Sequence, residues 1–175
     1  MKYEKFTFFY KTRHPFSNWH PCQFKDDEGN EYNCSEQYMM AQKAKMFCDQ
    51  EVLELIMEAK HPRDQKSLGR KVRGFNSDAW TANAKQLVYD GCYLKFTQNP
   101  SLLKTLLETK GTLLVEASPY DKIWGIGLGE DDPRIHDPKN WQGTNWLGEV
   151  LTKLRDDLLT KENNKSKSHE SITSN

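Results

Sequence analysis

Two ionisable residues seven positions apart open the case for chemistry in this chain. They lie in Ser35-Glu36-Gln37-Tyr38-Met39-Met40-Ala41-Gln42-Lys43-Ala44. In a helix at about 100° per residue, positions seven apart differ by only about 20°, so Glu36 and Lys43 share a face about 10 Å apart along the axis. Met39 and Met40 lie between them. Two ionisable groups on an otherwise apolar stripe must be paired, solvated in a cleft, or shifted in pKa. Shifted groups in clefts serve as acids, bases and nucleophiles. The plainer alternative has Glu36 serving the positive helix start and Lys43 snorkelling to solvent. Pattern alone leaves both open.

Three further stretches have the same character. Glu116-Ala117-Ser118-Pro119-Tyr120-Asp121-Lys122-Ile123-Trp124-Gly125-Ile126-Gly127 leaves a strand, turns at Pro119 and sets Asp121 three residues before Trp124. A carboxylate beside an indole suits a flat base or sugar undergoing proton chemistry, and Gly125 permits close backbone approach to a ligand. A structural turn with a core tryptophan is the alternative. In Pro15-Phe16-Ser17-Asn18-Trp19, Asn18 offers a donor and an acceptor for ribose or base, or simply makes an Asx-turn between core aromatics. Leu68-Gly69-Arg70 could grip a phosphate through amides and guanidinium, although a surface arginine is the default.

The acidic run Glu130-Asp131-Asp132 with Asp137 lacks the spacing of an EF-hand loop and is expected to be a solvated loop. The histidines show no HExxH-like spacing, so no metal is expected, and no cofactor is implied. The GxSxG, GxGxxG and Walker motifs do not occur, which removes the main support for the common hydrolase, dinucleotide and NTPase classes.

The elements that would position these residues follow from patterning. Strands are expected at Phe6–Tyr10, Pro21–Lys25 and Glu31–Cys34, forming a small N-terminal β unit. Ser35 is expected to cap a helix running to about Cys48, followed by a second helix from Gln50 to Lys60. A loop or short helix holds Ser67 to Arg70. Asp78 is expected to cap a third long helix, and Asn99-Pro100 begins a helix that Gly111 stops. Leu113 to Val115 reads as a strand, as does Ile123 to Leu128. Gly129 to Gly143 is a long polar loop, and a last helix runs from about Asn145 to Leu159. The resulting expectation is α+β: a single compact, mainly helical domain over residues 1–160 with a small β-sheet. The Ser/Asn/Lys-rich segment 161–175 is expected to be a disordered tail.

Composition fits one domain of 175 residues. Eight Phe, five Trp and seven Tyr supply enough large rings for a core. Twenty-five basic residues balance twenty-five acidic ones, which argues against a general nucleic-acid binder but not against a pocket for one nucleotide. No apolar run reaches the roughly 20 residues of a membrane span. No secretory signal is recognised. The four cysteines form no CxxC pair and are expected to be free thiols in a cytoplasmic protein.

The chain resembles the YbiA-like, or NADAR, family. The resemblance rests on PFSNW at 15–19, SEQYMMAQKA at 35–44, LGR at 68–70, VEASPYDKIWGIGL at 115–128 and GTNWLG at 143–148. It implies N-glycosidase chemistry on the C–N bond between a ribose and a base-like amine, either in early riboflavin intermediates or in ADP-ribosylated guanine. It also implies catalytic roles for Glu36, Lys43 and Asp121. Substrate binding is expected from Asn18, Trp19, Arg70, Trp80, Trp124 and Gly125, with the tryptophans around base or ribose. Some relatives carry an aspartate after WG, where this chain has Ile126. The implied partner is a small ribosyl-amine or ADP-ribosyl substrate, or ADP-ribosylated nucleic acid, with no membrane. A non-catalytic ADP-ribose or nucleotide reader is the alternative. It would need the tryptophans and Arg70 but not the Glu36–Lys43 pair.

Overall fold

The computed structural model describes residues 2–172, with side chains described through residue 164. Strand β1 (Phe6–Phe9) pairs in parallel with β4 (Leu113–Glu116), Phe9 standing opposite Glu116. Strands β2 (Phe24–Lys25) and β3 (Glu31–Tyr32) form a separate antiparallel pair. Between these strands and after them lie six helices: α1 (Ser35–Met46), α2 (Gln50–Glu58), α3 (Pro62–Gly69), α4 (Ser77–Thr97), α5 (Pro100–Glu108) and α6 (Trp146–Ile172). The expected α+β class, mainly helical with little sheet, is what the structure shows. The expected single N-terminal β unit is not, because β1 finds its partner about a hundred residues away.

Helix α1 is the hub, packing against α2, α3 and α4. Its residues Ser35 to Ala41 are all buried. A helix covered on nearly every side has no polar face to set against an apolar one. Its buried amides therefore carry specific bonds. Gln37 Nε2 donates to the carbonyls of Ile56 and Met57 at the end of α2, and Gln37 Oε1 accepts the Asn33 N–H at 2.8 Å. Helix α3 presses close to α1 through Gly69, where a Cβ would fall 2.0 Å from Met40 Sδ. The Met40 side chain would have to shift to admit any larger residue at the glycine of the Leu-Gly-Arg motif. Helix α6 covers β4 and α4.

Several boundaries differ from expectation. The residue before α1 is Cys34, which makes no side-chain cap, and Ser35 is the first helical residue. Helix α4 is capped by Asn76, whose side chain accepts the Ala79 N–H at 2.9 Å, rather than by Asp78. Ile123 to Leu128 is not a strand. Asp121 Oδ1 takes the N–H groups of Ile123 and Trp124, and Gly127 adopts φ +69°, which folds the segment into a turn. The 129–143 loop contains two 3-10 turns, Pro133–His136 and Pro138–Asn140. Helix α6 continues to Ile172, through most of the polar segment expected to be disordered. Extending an anchored helix needs no new nucleus, so a polar sequence can continue it. Residues 173–175 of that segment lie outside the described residues.

Candidate active site

The start of α1, the end of β4, the turn after it and the α3–α4 connection meet around Glu36. Its main-chain N–H donates to the Asn18 carbonyl at 2.9 Å, which ties the Pro15–Trp19 loop to the first turn of α1. The loop itself is held by Lys95 of α4. This lysine is 1% exposed, and its Nζ donates to the Pro15 and Ser17 carbonyls at 2.7 and 3.0 Å. Asn18 is buried between those anchors, and its Oδ1 has no hydrogen-bond partner.

Glu36 is 4% exposed and its Oε1 is likewise unpartnered. Burial pushes its carboxyl up to about 7, and the Asp121 charge adds to the shift. Lys66, Arg70 and Lys43 act against it. These influences come from three separate stretches of chain, so Glu36, Asp121, Lys43 and Arg70 share one electrostatic neighbourhood.

Lys43, seven residues further along α1, is half-buried. Its Nζ stands 4.5 Å from the Phe75 ring centroid and 5.7 Å from that of Trp80. Burial holds its basicity below the ordinary lysine range; Arg70 adds to this and Glu36 opposes it. The aromatic faces favour the ammonium form. Trp80, in the first turn of α4, is therefore a wall of the Lys43 environment.

Asp121 sits in a turn fixed by Ser118, whose Oγ accepts the N–H groups of Tyr120 and Asp121. Its Oδ1 accepts from Ile123 and Trp124 at 2.9 and 2.8 Å. Trp124 is half-buried and packs edge-on against Trp146, with centroids 5.6 Å apart. Gly125 is buried in the turn, where a Cβ would lie 2.9 Å from the Glu116 carbonyl and 3.0 Å from that of Asp121. The chain itself thus fills the space beside this glycine, which a larger residue could not enter. Arg70 is exposed just past α3, within electrostatic reach of Glu36 and Lys43. Trp19 is half-buried, its N–H on Ser17 Oγ at 3.1 Å.

Two charged residues belong to this neighbourhood that the sequence motifs did not single out. Glu116 ends β4 and carries a buried, unpartnered Oε2. Lys66 lies one helical turn before Arg70 and acts on both Glu36 and Glu116. A carboxylate closing the apolar run Leu113-Leu114-Val115 was the available signal for Glu116. Lys66 offered only its i,i+4 relation to Arg70. Among the described residues, no cluster of three or more His, Cys, Asp or Glu could hold a metal ion. No described helix is long and apolar enough to cross a membrane.

The NADAR domain model matches residues 8–159, which include every residue of this site. The chain belongs to the NADAR family. It is 44% identical over 168 residues to N-glycosidase R617 of Acanthamoeba polyphaga mimivirus, covering 90% of this chain and 98% of that one. It is 41% identical over 176 residues to protein irg-1 of Caenorhabditis elegans, covering 92% of this chain and 83% of that one. The NMR structure of Escherichia coli YbiA superposes with a TM-score of 0.74 at 28% identity, covering 93% of this chain and 89% of that one.

Proposed function

We propose that this NADAR protein is an N-glycosidase that hydrolyses the C–N bond between a ribose and a base-like amine. The observation that carries the proposal is Glu36: a buried carboxyl with an unpartnered oxygen, raised to about 7 and coupled to Asp121, Lys43 and Arg70. Keeping such a group is costly for folding, and its titration range suits proton transfer near neutral pH. The likeness to R617, named an N-glycosidase, supports the same reaction.

Breaking the bond builds positive charge at C1 of the sugar and negative charge on the departing nitrogen. Glu36 as carboxylate takes a proton from the attacking water, a role parallel to that of the base carboxylate in sugar hydrolases. The Asp121 charge steadies the cationic sugar. Trp80, Trp124 and Trp19 bind base or ribose, Asn18 Oδ1 accepts from a ribose hydroxyl or base N–H, and Arg70 with Lys66 meets a phosphate. Substrates of this class include early riboflavin intermediates and ADP-ribosylated guanine. A mass-spectrometric product assay offering both to the protein tests the proposal. Release of free amine and ribose phosphate, or of guanine and ADP-ribose, is expected. Tight ligand binding with no product over hours would instead identify a reader of nucleotides.

A second reading of Lys43 is favoured by its lowered basicity. If the ribose ring opens, its amine attacks C1, displaces the amine and forms a Schiff base, which water then hydrolyses. Borohydride added during turnover is expected to trap a sugar adduct on Lys43. Active protein that turns over substrate and yields no adduct would leave Lys43 an electrostatic role only.

A further inference from the structure

The main chain of Glu116 is fixed on both of its polar groups. Its N–H donates to Asn145 Oδ1 at 3.0 Å, and its carbonyl accepts the Ile126 N–H at 3.0 Å. Asn145 in turn donates through Nδ2 to the Leu114 carbonyl, so one buried side chain clamps the end of β4. The backbones of Glu116 and Asp121 converge on Gly125. From this fixed point the Glu116 carboxyl carries Oε2 into a buried position with no hydrogen-bond partner. An apolar residue would fill similar space without that desolvation cost. The charged groups facing it are Asp121, Glu36 and Lys66. Those facing Glu36 are Lys66, Asp121, Arg70 and Lys43, with the Cys34 thiol also in range.

Asp121 is committed to its own turn, because its Oδ1 already accepts two main-chain N–H groups. We propose that Glu116 is the acid that protonates the leaving amine, an inference resting on the N-glycosidase reading above. As the C1–N bond breaks, its electron pair leaves with the nitrogen, which takes the Glu116 O–H proton and departs as the free amine. Water oxygen bonds to C1, and the water proton goes to Glu36. Glu116 is then the carboxylate and Glu36 the acid. A proton passing from Glu36 to Glu116 restores the starting state. The charge pattern agrees with this order. Burial, then the charges of Asp121 and Glu36, push Glu116 up to about 8, above the value of about 7 for Glu36. The two titrate as a coupled pair, with Glu116 holding its proton longer.

The test is the pH profile of kcat/KM for wild type and Glu116→Gln. Wild type is expected to rise through about 7 as Glu36 ionises and fall through about 8 as Glu116 does. Glu116→Gln is expected to lose about 100-fold or more in kcat and to lose the alkaline limb while keeping the acid one. A variant that keeps the alkaline limb and near-normal kcat would overturn the assignment and leave the glycosidase reading intact. A wild type that releases no product would instead sink that reading, and this inference with it. If Glu116→Gln does not fold, carbon-13 titration of the wild-type carboxyls decides. A Glu116 carboxyl ionised in the ordinary glutamate range, near about 4.3, would overturn the proposal.

Discussion

Replacing Glu36 by glutamine is expected to cut turnover by about 10²–10⁴-fold, the span associated with loss of a positioned acid or base. The folded protein is expected to survive the change. Gln preserves the shape, and Glu36 makes no side-chain hydrogen bond through Oε1 that the fold would lose. Stability should change in the opposite direction to activity. A carboxyl raised to about 7 in the folded protein binds more protons than it does unfolded. Its contribution is therefore complete below about pH 4 and lost as pH rises through about 7. At pH 8 the wild type carries this cost, on the order of 3 kcal/mol for a shift of that size. Melting temperatures at pH 8 should thus place Glu36→Gln at or above wild type. Near-normal turnover, or a large loss of stability, would remove Glu36 from the chemistry and make it a structural residue.

The largest expected effect on stability falls at Lys95. Its side chain is fully buried, and its Nζ donates to the Pro15 carbonyl and joins the His20 N–H on the Ser17 carbonyl. Lys95→Ala leaves a cavity and the Pro15 carbonyl without its donor, while the Ser17 carbonyl keeps the His20 N–H, a combined cost of about 2–5 kcal/mol. Lys95→Met refills the space without the donor and should cost less. Urea unfolding separates the three proteins, with midpoints expected in the order wild type, Met, Ala. Both variants should also raise KM, because the loop that carries Asn18 and meets the Glu36 N–H loses its anchor. An unchanged midpoint for Lys95→Ala would mean that the clamp contributes little.

How the site is assembled explains which parts local sequence could reveal. Glu36 and Lys43 stand out because seven residues on a helix bring them to one face, and the structure keeps both on α1. The burial of α1 on nearly every side was hidden, since Gln37 reads as polar surface until its bonds to the end of α2 are seen. Asp121 reaches Glu36 across 85 residues of chain, a meeting that family resemblance implied and spacing could not. The β1–β4 pairing that fixes Glu116 is equally long-range. Ile123 to Leu128 has strand-forming composition, yet Asp121 and Gly127 override it by capturing local N–H groups and reversing the chain. Sequence could not show that Met40 crowds the space beside Gly69, nor that the Glu116 and Asp121 carbonyls crowd that beside Gly125.

The convergence of Glu36, Asp121 and Lys43 is best tested by following the Glu36 carboxyl with carbon-13 NMR in wild type, Asp121→Asn and Lys43→Met. The expected wild-type midpoint is about 7. Removing the Asp121 charge should lower it, and removing the Lys43 charge should raise it. A midpoint near about 4.3 that neither substitution moves would show an ordinary solvated glutamate, and the shared hollow would not exist.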